Sequence, residues 1–84
     1  QRGTRVGVLV MVYDHMVEGL EAALTDTQHK HSHVVRSSMH VHLSERDCLE
    51  AIAVKGDAQE IRRLAQELTT KRGVKQVKAT ILSP

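Results

Sequence analysis

The stretch that decides the fold is Arg5–Tyr13, which reads Arg-Val-Gly-Val-Leu-Val-Met-Val-Tyr. Valine dominates it, and apolar side chains fill both alternating sets of positions. One set is Val6, Val8, Val10 and Val12, and the other is Leu9, Met11 and Tyr13. Because successive side chains of a strand point to opposite faces, this pattern predicts a strand that is covered by protein on both faces.

Five more elements follow from the pattern of apolar and turn-forming residues. They are a helix over about Met16–Thr27, strands over Val34–Leu43 and Cys48–Lys55, a helix that Asp57 caps and that ends near Lys71–Gly73, and a strand over Val74–Leu82. The order βαββαβ predicts an α+β, ferredoxin-like sandwich, with two helices on one face of a four-stranded antiparallel sheet. The other face of the first strand then needs a cover, and a second copy of the same sheet is the simplest one.

Size and composition predict a single small domain over residues 1–84. Only 1% of the residues are aromatic, so aliphatic side chains must form the core, and oligomerisation would add stability. The net charge of +2, with scattered Lys and Arg, argues against direct nucleic-acid binding. One cysteine cannot form an internal disulfide, which favours a cytoplasmic protein, and no apolar stretch is long enough to predict a membrane span.

The residues with metal-binding chemistry are concentrated in positions 29–48. Five of the six histidines and the single cysteine lie there, and His40–Cys48 reads His-Val-His-Leu-Ser-Glu-Arg-Asp-Cys. Thiolate sulfur together with imidazole nitrogen is a donor set that late first-row divalent metals prefer. We therefore interpret this segment as a metal site.

The link Ser44–Asp47 between the two middle strands is short and polar, which predicts a hairpin. Pairing His42 with Cys48 across it places His40 opposite Glu50, and directly opposed residues share a face. Because the alternating apolar residues of the first hairpin strand must face the helices, we expect these four side chains to lie on the helix-free face. The apolar residues in question are Val35, Met39, Val41 and Leu43.

The hairpin supplies three donors, so a four-coordinate site needs one more. His29, His31 and His33 lie near the end of the first helix, which this topology puts across the molecule from the hairpin. A second subunit would supply the missing nitrogen and cover the sheet at once. Three nitrogens and one sulfur suit Ni(II) or Cu(II) in a plane and Zn(II) in a tetrahedron, and the residues alone leave that choice open.

Six short motifs are spread over the whole chain: Val12–His15, Thr27–His29, His40–His42, Asp47–Glu50, Lys55–Asp57 and Arg72–Val74. With them the chain resembles, over nearly all of its length, the C-terminal regulatory domain of the nickel-responsive transcriptional regulators, the NikR family. The resemblance implies an ACT-like form of the ferredoxin-like fold, a homotetramer, and one Ni(II) per subunit, with Cu(II) or Zn(II) as possible substitutes. It also implies a square-planar site with His40, His42 and Cys48 from one subunit and His29 from the facing subunit.

The NikR family represses nickel-uptake genes when metal is bound, and it contacts DNA through an N-terminal ribbon-helix-helix domain. No such segment precedes Gln1, so the resemblance implies a domain that senses metal and oligomerises, and that meets DNA only through the missing part. Lys30 and Ser32 interrupt a histidine run that many relatives keep unbroken. This departure weakens the expectation of accessory metal binding in that segment.

The other polar side chains near the motifs have simpler interpretations. We expect Glu50 to orient a ligand imidazole as a hydrogen-bond acceptor, and Tyr13 to pack beside the site with its hydroxyl in the same network. We expect His15 to be structural, and His31 and His33 to be solvated loop residues.

Two other classes of function stand beside the metal sensor. One is an ACT-type module that binds an amino acid at a subunit interface, although Tyr13–Met16 lacks the glycine-rich loop that such sites use. The other is a zinc- or copper-binding protein that is not a sensor. We do not expect an enzyme, because nothing near Cys48 and His42 supplies an oxyanion hole or a substrate cleft, and the donor set closes at four.

Overall fold

The computed structural model describes residues 3–83 and contains six elements in the predicted order. They are β1 (Thr4–Asp14), α1 (Leu20–Lys30), β2 (Val35–His42), β3 (Asp47–Asp57), α2 (Ala58–Thr69) and β4 (Val74–Leu82). The strands form one antiparallel sheet in the order β2-β3-β1-β4. The predicted ferredoxin-like βαββαβ architecture is therefore confirmed.

The core lies between the two helices and one face of the sheet. It is almost entirely aliphatic, as the composition requires, and both helices contribute to one continuous cluster. The buried residues at its centre are Leu9, Met11, Leu24, Ile52, Ile61, Leu64 and Leu68. Since the β1 and β3 members of this cluster lie on the same face, that face is the helix side of the sheet.

The opposite face of the sheet is apolar and open in a single chain. Val8 of β1 is 40% exposed, and Val41 of β2 on the same face is 41% exposed. The first strand is therefore apolar on both faces, as predicted, with one face against the helices and the other at this open surface.

The prediction that the alternating apolar residues of β2 face the helices is wrong beyond Val35. Val35 packs against the core, but the pairing of β2 with β3 shifts by one residue between Val35 and Ser37. Such a bulge sets two residues of one strand against one of its partner, so every later side chain changes face. Met39 and Val41 therefore lie on the helix-free face, and Leu43, just after β2, is also exposed.

Helix α1 begins at Leu20 and not near Met16, and it continues past Thr27 to Lys30. Gly19, at the N-cap, has a left-handed φ of 81°, which the interior of a right-handed helix does not allow. Residues 15–19 form turns instead. As a result, His29 lies in the last turn of the helix.

Candidate metal centre

The β2–β3 hairpin has the predicted register. His42 pairs with Cys48 and His40 pairs with Glu50. The Sγ atom of Cys48 lies 3.4 Å from Nδ1 of His42. The predicted face is wrong, however: Cys48 also pairs with Tyr13 of β1, whose side chain lies in the core, so the donors lie on the helix side of the sheet.

The thiol of Cys48 is buried, with 2% of the residue exposed. Burial and the nearby charge of Glu21 raise its pKa, while a hydrogen bond with the Tyr13 hydroxyl partly offsets them. Burial, followed by the charges of Glu50 and Cys48, raises the pKa of Tyr13 as well. Both groups are therefore protonated at neutral pH, and a metal that binds Cys48 must displace the proton of its thiol.

Glu50 is a buried carboxylate that connects β2 with α1. Its Oε1 atom lies 3.2 Å from Nε2 of His40, and its Oε2 atom accepts a hydrogen bond from Nε2 of Gln28 at 3.0 Å. Gln28 directly precedes His29 along α1. A buried acceptor that fixes the orientation of an imidazole is a common partner of metal-binding histidines.

His15 joins the site, although we expected it to have only a structural role. Among the residues that the structure describes, one group of His, Cys and acidic side chains has donor atoms that all lie within 4.8 Å of one another: His15, His42 and Cys48. The rings of His15 and His42 meet edge to face with centroids 5.5 Å apart. The pairing of Asp14 with Asp47 is the signal for this position, because the residue that follows β1 then lies beside the hairpin.

His29 lines a cleft between α1 and β2 that also contains His40 and Glu50. The expectation that the end of α1 lies across the molecule from the hairpin is therefore wrong. Within one chain, however, neither His29 nor His40 belongs to the compact group that contains Cys48. The four predicted ligands thus lie in one region of the molecule, but a single chain does not bring all four donors together.

His31 is not a solvated loop residue, contrary to the prediction. Its side chain is 12% exposed, and its Nε2 atom lies 3.0 Å from Oε1 of Glu67 on α2. It fixes the end of α1 against α2, where Glu60 also lies 3.5 Å from its Nδ1 atom. His33, with a side chain that is 60% exposed, is solvated as expected.

The donor chemistry of this region fits a late first-row divalent metal, because imidazole nitrogen and a thiol sulfur are in contact and a buried acceptor supports a neighbouring ring. The family model for the NikR C-terminal nickel-binding domain matches residues 6–82. The chain belongs to this family. The NikR resemblance of the six motifs is therefore confirmed, and the matched range includes the whole hairpin and α1.

Curated relatives show the same relationship. The chain is 43% identical over 82 residues to a protein of Methanosarcina acetivorans named as a nickel-responsive regulator, and the match covers 98% of this chain and 59% of the relative. It is 48% identical over 75 residues to a nickel-responsive regulator of Solidesulfovibrio magneticus, which covers 89% of this chain and 54% of the relative. The chain thus spans less than two thirds of the length of these NikR-type relatives, which are named as regulators and not as enzymes.

Solved structures support the fold independently of sequence. An uncharacterised protein of Thermotoga maritima superimposes with a TM-score of 0.84 at 21% identity, covering 96% of this chain and all of the other. The ACT domain of a GTP pyrophosphokinase of Chlorobium tepidum gives a TM-score of 0.80 at 13% identity, covering 93% of this chain and all of the other. At these identities the likeness concerns the fold alone, and that fold is ACT-like.

Neither α1 nor α2, the helices within residues 3–83, has the length and apolar character required to span a bilayer.

Proposed function

We propose that this domain is the nickel-sensing part of a metal-dependent transcriptional regulator. His40, His42 and Cys48 of one subunit hold one Ni(II) together with His29 of the partner subunit. The observation that carries the proposal is the contact between His42 and Cys48 across a paired hairpin, in a chain of the NikR nickel-binding family. A bound Ni(II) supplies a fixed cross-link between donors of two subunits.

Glu50 positions two of the proposed ligands. Its carboxylate contacts the ring of His40 directly and reaches α1 through Gln28, the neighbour of His29. A change in the orientation of His40 on metal binding would therefore alter the contact between Glu50 and the last turns of α1. Because the Glu50 carboxylate is buried, solvent screens its interactions with His40 and Gln28 only weakly.

A homo-oligomer, with a tetramer as the complete form, supplies the partner. The open sheet face carries Val8 and Val41 at about 40% exposure together with the more exposed Met39. An apolar surface of this kind is typical of a protein interface, and a second copy of the same sheet is its natural complement. Because the donors come from two chains, metal binding and assembly are linked equilibria.

DNA binding belongs to the longer protein. The NikR-type relatives are longer than this chain, and we propose that a separate N-terminal domain of the whole protein contacts the operator of nickel-uptake genes. Metal at the subunit interface would then fix how those domains are held, and so couple nickel to repression.

A nickel titration followed by absorption spectroscopy tests this proposal. A sulfur-to-nickel charge-transfer band should appear in the parent protein, should be lost in Cys48→Ala, and should be lost or shifted in His29→Ala. His33→Ala is the matched control, because His33 is an exposed histidine near His29. A spectrum that does not depend on Cys48 would contradict the proposal.

A mixing experiment tests the contribution of two subunits. His29→Ala and Cys48→Ala each lack a donor, but refolding them together allows one intact site to form, with three donors of the first protein and His29 of the second. Part of the charge-transfer band should therefore return in the mixture. If the mixture shows no more charge-transfer absorption than its two components, the fourth donor does not come from another subunit.

A further inference from the structure

We propose that Glu67 of α2 is a positioning residue for the nickel site, because it holds the last turn of α1 and thereby sets how His29 is presented to the partner subunit. The inference rests on the proposed function, in which His29 completes the site of a facing chain. The carboxylate of Glu67 contacts Lys30 and His31, the two residues that directly follow His29 along the chain.

His29 itself has a free ring on a backbone that is held from both sides. The residue is exposed, and within residues 3–83 its ring makes no hydrogen bond or ion pair. Gln28, just before it, donates to Glu50 on the sheet at 3.0 Å. The two residues just after it are held by Glu67. The direction in which His29 points therefore depends on contacts that its neighbours make.

Glu67 uses both of its carboxylate oxygens to hold α1. Its Oε1 atom accepts a hydrogen bond from Nε2 of His31 at 3.0 Å, and its Oε2 atom forms an ion pair with Nζ of Lys30. Hydrogen bonds from Lys30 and His31 lower the pKa of Glu67 to about 2, so the carboxylate is ionised at neutral pH. Hydrogen bonds to an ionised acceptor are stronger than those between neutral groups.

The end of α1 is a place where such contacts matter. His31 is the C-cap, and its N–H donates to the carbonyl oxygen of Gln28 at 3.1 Å, while the N–H of Ser32 donates to that of His29 at 3.2 Å. Helix ends fray unless tertiary contacts hold them, because their last carbonyl groups have no partner further along the helix. Glu67 supplies a tertiary contact within two residues of His29.

The sequence of α2 explains why Glu67 has this role. Glu60 and Glu67 are seven residues apart, so they lie on the same side of the helix, next to the stripe that packs against the core. Arg63 donates to Glu60 at 2.7 Å from within the same helix. Glu67 is then the carboxylate that contacts α1 through both oxygens.

Nickel affinity, measured in the 84-residue chain by competition with a chromophoric chelator, tests the inference. Glu67→Ala should weaken nickel binding by about tenfold, because the last turn of α1 must then be ordered when the metal binds. Gln66→Ala, at an exposed position of the same helix, is the matched control and should bind nickel like the parent.

A double-mutant comparison tests whether the effect passes through His29. In the His29→Ala protein, the further change Glu67→Ala should weaken nickel binding no more, since the residue that Glu67 positions is already absent. An equal loss of affinity in both backgrounds would overturn the inference, because a general structural effect of Glu67 would not depend on His29.

Amide hydrogen exchange of the metal-free protein gives a second readout. The N–H groups of His31 and Ser32 should exchange faster in Glu67→Ala, whereas that of Ile52 in the core should exchange as in the parent. Unchanged rates at His31 and Ser32 would overturn the inference. Should Glu67→Ala fail to fold, Lys30→Ala replaces it in both measurements, because it removes one of the two contacts at a side chain that is 64% exposed.

The failure of this inference can be distinguished from the failure of the proposed function. Nickel affinity that does not depend on His29 would contradict the proposed function. Nickel affinity that depends on His29 but not on Glu67 would overturn only the positioning role.

Discussion

The sulfur of Cys48 and Nδ1 of His42 are 3.4 Å apart because the two residues are direct partners across the β2–β3 hairpin. Strand register places the two side chains next to each other. What surrounds the pair determines which further donors can reach it. Glu50 holds His40 on one side, and His15 approaches from the end of β1.

Replacing Glu50 with alanine should destabilise the metal-free protein by about 1–3 kcal/mol, because Gln28 loses its hydrogen-bond partner and His40 loses the neighbouring carboxylate. Urea denaturation followed by circular dichroism measures this change. Glu18→Ala is the control, since Glu18 is exposed and its loss should matter little. Equal unfolding midpoints for the two variants would show that the buried carboxylate does not link β2 with α1.

A charge on the open sheet face should break the assembly. Val8→Lys places an ammonium group at the centre of the apolar surface, where a second sheet would have to bury it. Light scattering coupled to size-exclusion chromatography should report a smaller particle with unchanged circular dichroism. Gln66→Lys, on the exposed side of α2, is the matched control and should assemble like the parent. If Val8→Lys keeps the mass of the parent, this face is not the interface.

Stability should fall at acid pH through Glu67. The hydrogen bonds of Lys30 and His31 lower the pKa of Glu67 from 4.5 to about 2. Because the folded state favours the ionised form, this contribution is complete above pH 4.5 and is lost as the pH falls towards 2.

Unfolding free energies between pH 2 and pH 6 test the role of Glu67. The curve of Glu67→Gln should be flatter than that of the parent over this range, whereas the exposed-site control Glu18→Gln should follow the parent. Parallel curves for Glu67→Gln and the parent would mean that the contacts at the end of α1 contribute nothing to acid stability.

A methyl group at Gly7 should be costly, because β1 and β4 approach closely there. A Cβ atom at this position would lie 2.2 Å from the carbonyl oxygen of Thr80. We expect Gly7→Ala to lower the free energy of unfolding by about 1–3 kcal/mol, as overpacking commonly does. In a domain of this size, this loss lowers the thermal midpoint by several degrees.

Gly19→Ala separates steric crowding from backbone strain. Within residues 3–83, no atom other than those of its chain neighbours lies within 4 Å of a Cβ placed at Gly19, but its φ of 81° is left-handed. We expect Gly19→Ala to lower the free energy of unfolding by about 1–2 kcal/mol, because alanine is strained in the left-handed backbone conformation. Calorimetry of both variants measures the two effects, and a Gly7→Ala protein as stable as the parent would refute the close approach of the strands.

The element order and the hairpin register could be predicted from the sequence because both depend on local patterns. The short polar link after His42 allows few registers, and the valines of β1 show that both faces of that strand are apolar. The same local reasoning placed Met39 and Val41 on the wrong face. β2 is an edge strand, exposed on both sides, so its apolar alternation does not identify the core side.

By itself, the sequence determined that imidazole and thiol donors meet across a hairpin of a ferredoxin-like domain. Tertiary structure decided which face they occupy and what joins them. The bulge after Val35 reverses the phase of β2, and the pairing of β1 with β3 brings His15 to Cys48 from a distant part of the chain. Alternation and spacing describe neighbours along one strand, whereas contacts between strands depend on a register that every paired residue helps to set.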